Sequence, residues 1–198
     1  MMRKPYLYLG VILMMTFASS AESIPDPCKL LSVETIEEVM QLPMKEGRLR
    51  DSRSSYYGLT CSYFSHDRFE KSGNVSINIE TTANMKKTDH IFPSCKEKYE
   101  RQKYAVMEAL KRQNKEDDLR SVEGLGDEAY WIGNALRILS KGTLLEIRVA
   151  GGFGLKAKDK DTVDKQLDEK HMSIAKEVAK RALEKLGSEH TAPKEASP

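Results

Sequence analysis

The sequence predicts an α+β fold, one antiparallel sheet of about five strands packed with helices in the order α-β-β-α-β-β-β-α. Three observations lead there. Val75, Ile77 and Ile79 alternate with Ser76, Asn78 and Glu80, the period of a strand with one buried and one wet face. Residues 127–150 hold three short β-rich runs separated by Gly133-Asn134 and Lys141-Gly142, connections of the length that makes antiparallel hairpins. Residues 92–113 and about 162–186 instead repeat apolar side chains at helical spacing.

The chain has 198 residues, which allows one domain, assigned to residues 22–187. With 31% charged and 39% hydrophobic residues it is neither collagen-like, nor a disulfide-dense miniprotein, nor a multi-span membrane protein. A formal charge of +2 argues against a dedicated nucleic-acid binder, and no nucleic-acid partner is expected.

Residues 1–21 have the layout of a secretory signal peptide. Arg3 and Lys4 precede a run of about 12 mostly apolar residues ending at Phe17, and Ser19 and Ala21 fit the −3 and −1 positions of a cleavage site. The run is shorter than the roughly 20 residues a spanning helix needs. The first cysteine, Cys28, follows Pro25-Asp26-Pro27 and not a small-residue box, so no lipid or membrane anchor is expected after cleavage. Arg3 and Lys4 account for the whole formal charge, so the processed chain is neutral, its 30 acidic side chains matched by as many basic ones.

In the mature chain, Ser32-Val33-Glu34-Thr35 supplies an N-cap and an acid in the first turn of a short helix reaching about Met40. Pro43 and Gly47 end it, and residues 45–55 read as an exposed polar loop. Strands are expected over residues 57–65 and 74–82, with a turn at Ser72-Gly73-Asn74. On the helix of residues 92–113, Phe92, Cys95, Tyr99, Val106 and Leu110 form the apolar stripe. Strands at 127–133, 135–140 and 143–150 follow, then a flexible crossing through Gly151-Gly152-Phe153-Gly154. The last helix carries Val163, Leu167, Ile174, Val178 and Leu186 near one face, with Gly187 as its cap and residues 188–198 as a disordered tail.

Three cysteines stand about 33 residues apart, without a C-x-x-C pair. Export implies an oxidising compartment, where one structural disulfide with one thiol left over is the default. Cys28, just before the first helix, is assigned to Cys61 in the first long strand; Cys95, on a helical apolar stripe, is the free thiol. A thiol nucleophile or an intermolecular disulfide is the sharper alternative for Cys95. The histidines, His66, His90, His171 and His190, are scattered, and neither a metal nor a cofactor is expected.

Gly124, Gly126, Asp127 and Glu128 are the most tempting functional string, because glycines permit positive φ and adjacent acids attract cations. Two acids are too few for a calcium loop, and a tight turn feeding a strand explains them better. The Gly151 string lacks the G-K-[ST] of a phosphate cradle. No G-x-S-x-G elbow or H-E-x-x-H helix appears, so no catalytic residue is nominated and the chain is read as a non-enzyme.

Several strings in order, Asp26-Pro27-Cys28-Lys29-Leu30-Leu31, Cys61-Ser62-Tyr63, Gly124-Leu125-Gly126-Asp127-Glu128-Ala129-Tyr130 and Leu145-Glu146-Ile147-Arg148-Val149, resemble a broad group of secreted bacterial proteins and lipoproteins of unknown function. The resemblance covers roughly residues 26–150 and implies a PsbP-like α-β-α sandwich with its first two cysteines bridged. It implies no catalytic residues, and the missing lipobox departs from the lipoprotein members. The expectation is therefore an exported, soluble, periplasmic or secreted binding module. Its partner would be a small apolar ligand between sheet and helix, or an envelope protein docked on the open face of the sheet. The alternative is an inhibitor or accessory subunit of a secreted or envelope enzyme.

Overall fold

The computed structural model describes residues 25–51, 58–67, 72–88, 91–155 and 159–191. The expected signal segment, residues 1–21, and the tail from residue 192 lie outside the described residues.

The chain is α+β, with a seven-stranded antiparallel sheet in place of the expected five strands. Helices α1 (Pro27–Leu30) and α2 (Val33–Met40) lead into strands β1 (Arg48–Asp51), β2 (Leu59–Phe64) and β3 (Gly73–Thr81). Helices α3 (Thr82–Thr88) and α4 (Cys95–Lys111) follow, then β4 (Arg120–Ser121), β5 (Glu128–Ile132), β6 (Ala135–Ser140), β7 (Thr143–Gly151) and α5 (Lys160–Thr191). The sheet order is β1-β2-β3-β7-β6-β5-β4, so the last strand lies at the centre against β3. That seam is also long, running from Gly73 opposite Gly151 to Thr81 opposite Thr143.

Local chemistry explains the helix starts. Asp26 accepts a bond from the Cys28 amide at 2.9 Å, and the Ser32 hydroxyl accepts one from the Thr35 amide at 3.3 Å. Ser94 does the same for Glu97 at 3.2 Å, placing the start of α4 at Cys95. The strands missed by the sequence reading sit at the two edges. Arg48-Leu49-Arg50-Asp51, expected as loop, has one apolar residue and is a strand because its backbone pairs with β2. Helix α3 was also unexpected: Thr81 accepts the Asn84 amide at 3.2 Å and Met85 is buried beneath it.

The final helix corrects the expected end as well. It continues through Gly187 to Thr191, so residues 188–191 are helical and not tail. A glycine inside a helix costs about 1 kcal/mol relative to alanine, a penalty that does not by itself stop the helix. Leu183 and Leu186, packed on the core just before it, hold that turn in place.

The sheet separates two cores. On the inner face one register row, Cys61, Ile77, Ile147, Leu136 and Trp131, is wholly excluded from solvent. Helices α1, α2 and α5 cover it with Ile36, Met40, Ile174 and Val178. Each such aliphatic side chain contributes about 1.5–3 kcal/mol on burial. Trp131 Nε1 donates to Asp168 of α5 at 2.8 Å, and Arg120 of β4 pairs with the same carboxylate. On the outer face, α3 and α4 cover only the rows near Leu139 and Leu144, with Met85, Cys95 and Tyr99.

Two tyrosines show how differently one hydroxyl can be housed. Tyr63 donates to the Leu31 carbonyl at 2.6 Å, and burial pushes its pKa up to about 12. The Tyr99 hydroxyl is equally buried and has no hydrogen-bond partner among the described residues. The same Tyr-to-Phe change should therefore have opposite signs. Tyr63→Phe is expected to lower stability by about 1 kcal/mol, and Tyr99→Phe to raise it by a similar amount. Urea midpoints of the two variants check this; a matching loss in both would show that Tyr99 is satisfied after all.

Candidate functional site

The uncovered part of the outer face is where the structure departs from a simple packed sandwich. Register places Arg50, Thr60, Asn78, Glu146, Arg137, Tyr130 and Ser121 side by side across all seven strands. Because opposed residues of antiparallel strands share a face, this is one polar row on the side of the sheet that carries α4. The neighbouring row continues it with Arg48, Ser62, Ser76 and Arg148.

Glu146 is the hub. One oxygen accepts Arg137 Nε at 2.6 Å and the other accepts Arg148 Nε at 2.5 Å. Arg137 also donates through Nη1 to the Tyr130 hydroxyl at 3.0 Å. Burial alone would push the Glu146 carboxyl up, but the Arg137 charge and the Arg148 bond outweigh it, and the group titrates below the usual carboxylate range. It is a fixed negative charge at neutral pH and a poor proton acceptor. Arg137, with 16% of its side chain exposed, is held cationic by the same partners.

Helix α4 walls the row on one side. Lys98 reaches Glu80 of β3 at 2.6 Å, and the ring of Tyr99 meets that of Tyr130 at 5.2 Å. One turn further on, Gln102 faces a cavity of about 280 Å³ whose other walls are Thr60, Ser76, Asn78, Glu80, Arg137, Leu144, Glu146 and Arg148. Asn78 donates to Thr60 at 2.9 Å. Neither the Ser76 hydroxyl nor the Gln102 amide hydrogen-bonds a described residue through its side chain, so both offer polar groups to the cavity.

The residues singled out in the sequence lie elsewhere. Gly124 and Gly126 have φ of +76° and +62°, and a Cβ on Gly126 would come within 2.5 Å of the Leu139 carbonyl. Asp127 accepts the Lys141 amide at 2.8 Å and Glu128 lies 3.5 Å from Lys103. The string thus clamps the β6–β7 turn, and the two acids point to separate partners. Cys28 and Cys61 form a disulfide tying α1 to β2. Cys95 is a buried thiol, its Sγ 3.4 Å from the Glu80 carbonyl, and burial pushes its pKa up, the reverse of what a nucleophile needs. His171 lies with Nε2 2.9 Å from the Gly151 carbonyl and its ring edge-on to Phe153, steadying the β7–α5 crossing.

Arg137 and Gln102 lie in none of the strings quoted from the sequence, and Glu146 and Arg148 entered only as part of the resemblance and not as site residues. The signal was present in the polar members of the two alternating strands, Ser76, Asn78, Glu146 and Arg148, but nothing local says that β3 and β7 are neighbours. Among the described residues no group of three His, Cys, Asp or Glu is placed to hold a metal ion, and no helix is long and apolar enough to cross a membrane. No protein-family model, curated protein or solved structure matches this chain.

Proposed function

We propose that this chain is an exported, non-enzymatic binding module, built as a PsbP-like α-β-α sandwich, that uses the open part of its outer sheet face for recognition. The observation that carries the reading is the polar row centred on Glu146. Seven strands align hydrogen-bonding side chains next to a helix that stops short of covering them. Such a row adds little to the core, whereas converging polar groups are what orient a ligand and give a pocket its specificity. The chemistry of the row favours binding over catalysis. Its acid is held ionised by two arginines, and no histidine or thiol stands in it. The charged and amide ends of Arg148, Glu146 and Gln102 give an occupant polar partners here, beside Leu144 and the aliphatic stems of the same long side chains. Export is supported by the signal-like residues 1–21 and by a disulfide that belongs to an oxidising compartment.

Native mass spectrometry of the protein purified gently from its own source tests both parts. The expected result is a chain beginning at Glu22 that carries a bound molecule, lost when Gln102 and Ser76 are replaced by bulky leucines. Retention of residues 1–21 would overturn export, and a bound species indifferent to the two leucines would overturn the assignment of the face.

A further inference from the structure

The cavity beside α4 carries a charge and a geometry that specify its occupant further. Two guanidinium groups, Arg137 and Arg148, share the single carboxylate of Glu146. The other acid in the lining, Glu80, is already paired with Lys98 at 2.6 Å. Among the described residues the cluster therefore keeps one surplus positive charge in a partly desolvated place, where an unbalanced charge costs more than at the open surface.

The surplus has a direction. Arg148 spends its Nε on Glu146, which leaves the end-on pair Nη1 and Nη2 without a partner among the described residues, on a side chain 48% exposed. Arg137 spends Nε on Glu146 and Nη1 on Tyr130, leaving Nη2. Two parallel N–H groups at the end of a guanidinium match the two oxygens of a carboxylate, and charge-assisted bonds of this fork type are about twice as strong as neutral ones. One surplus charge balances one monoanion; a phosphate dianion would leave the excess negative. Around the fork stand hydroxyl and amide groups, Ser76, Thr60 and Gln102, that suit a hydroxylated or otherwise polar remainder. A volume of about 280 Å³ falls just below the usual range of ligand pockets, roughly 300–1,000 Å³, so the occupant is small.

We infer that this cavity is a recognition site for a small polar carboxylate, held end-on by Arg148 and supported by Arg137, Ser76 and Gln102. The inference rests on the binding-module reading and names the ligand class for the same face.

The test is titration of the mature protein, followed through backbone amide shifts in ¹⁵N-resolved NMR, with gluconate, acetate, sorbitol and inorganic phosphate as separate probes. Gluconate is expected to give saturable shifts at Ser76, Gln102 and Arg148, with acetate moving the same amides more weakly and sorbitol moving none. Arg148→Gln should weaken gluconate binding about tenfold or more, and Arg148→Lys, which keeps the charge and loses the fork, should weaken it as well. Lys180→Gln removes an equal charge from an exposed position of α5, on the opposite side of the sheet, and should leave the affinity within about twofold. The spectrum of each variant without ligand reports whether its fold is intact. The inference fails if neither carboxylate shifts the cavity amides, if phosphate binds as tightly as gluconate, if sorbitol gives the same shifts, or if Lys180→Gln weakens binding as much as Arg148→Gln. A natural ligand that binds the face but carries no carboxylate would refute this inference and leave the binding-module reading standing.

Discussion

Lys98→Met is expected to destabilise the protein by about 3–5 kcal/mol, a large fraction of the stability of a domain this size. The ammonium and the Glu80 carboxylate meet at 2.6 Å with only 3% and 6% of their side chains exposed. Removing the cation leaves a carboxylate inside the α4–β3 junction that must either stay charged in a poor solvent or take up a proton. Glu80→Gln combined with Lys98→Met should recover much of the loss, because breaking one side of a buried ion pair costs more than replacing both. Urea unfolding monitored through the buried Trp131 gives both numbers. If Lys98→Met costs no more than a surface substitution, about 0.5 kcal/mol, the junction is open to water and α4 is only loosely seated.

Removal of the Cys28–Cys61 bridge is the second large effect. A bridge across 33 residues limits the unfolded chain, and its loss in a Cys28→Ser/Cys61→Ser variant should cost about 2–5 kcal/mol. The bridge has a structural consequence as well. Helix α1 has four residues, too few to hold itself, and it stays on the sheet through the bridge, the Tyr63 bond to Leu31 and the burial of Leu30 and Leu31. Proteolysis or hydrogen exchange should therefore loosen residues 25–31 before the rest of the molecule. Cys95 is an internal control, since its buried thiol should resist alkylation in the folded oxidised protein. An unchanged denaturation midpoint after reduction would show that the apolar contacts of α1 suffice alone.

Much of this fold was legible because it is local. The hairpins of β5, β6 and β7 announce themselves through Gly133-Asn134 and Lys141-Gly142, and the Ser32 cap places α2. The pairing of Cys28 with Cys61 could be chosen from their places beside a helix start and within a strand. What escaped depends on partners distant in sequence. β1 has too few apolar residues to read as a strand and owes its form to the backbone of β2. Gly187 looked like a stop because its own propensity was visible while the packing of Leu183 and Leu186 was not. The candidate site is the extreme case. Asn78 and Glu146 are far apart in the chain, and only the register of β3 against β7 makes them neighbours.

That central seam also sets an order of events during synthesis. When β1, β2 and β3 have left the ribosome, β3 has one side unpaired, and its partner, Thr143–Gly151, is some sixty residues away in the chain. The first half of the molecule is therefore not a domain in waiting. It is a three-stranded fragment whose β3 edge exposes unpaired backbone N–H and C=O groups until β7 arrives. Contacts of such long sequence separation make folding slow. A chain that cannot finish its sheet until its last strand arrives stays pliable for most of its synthesis.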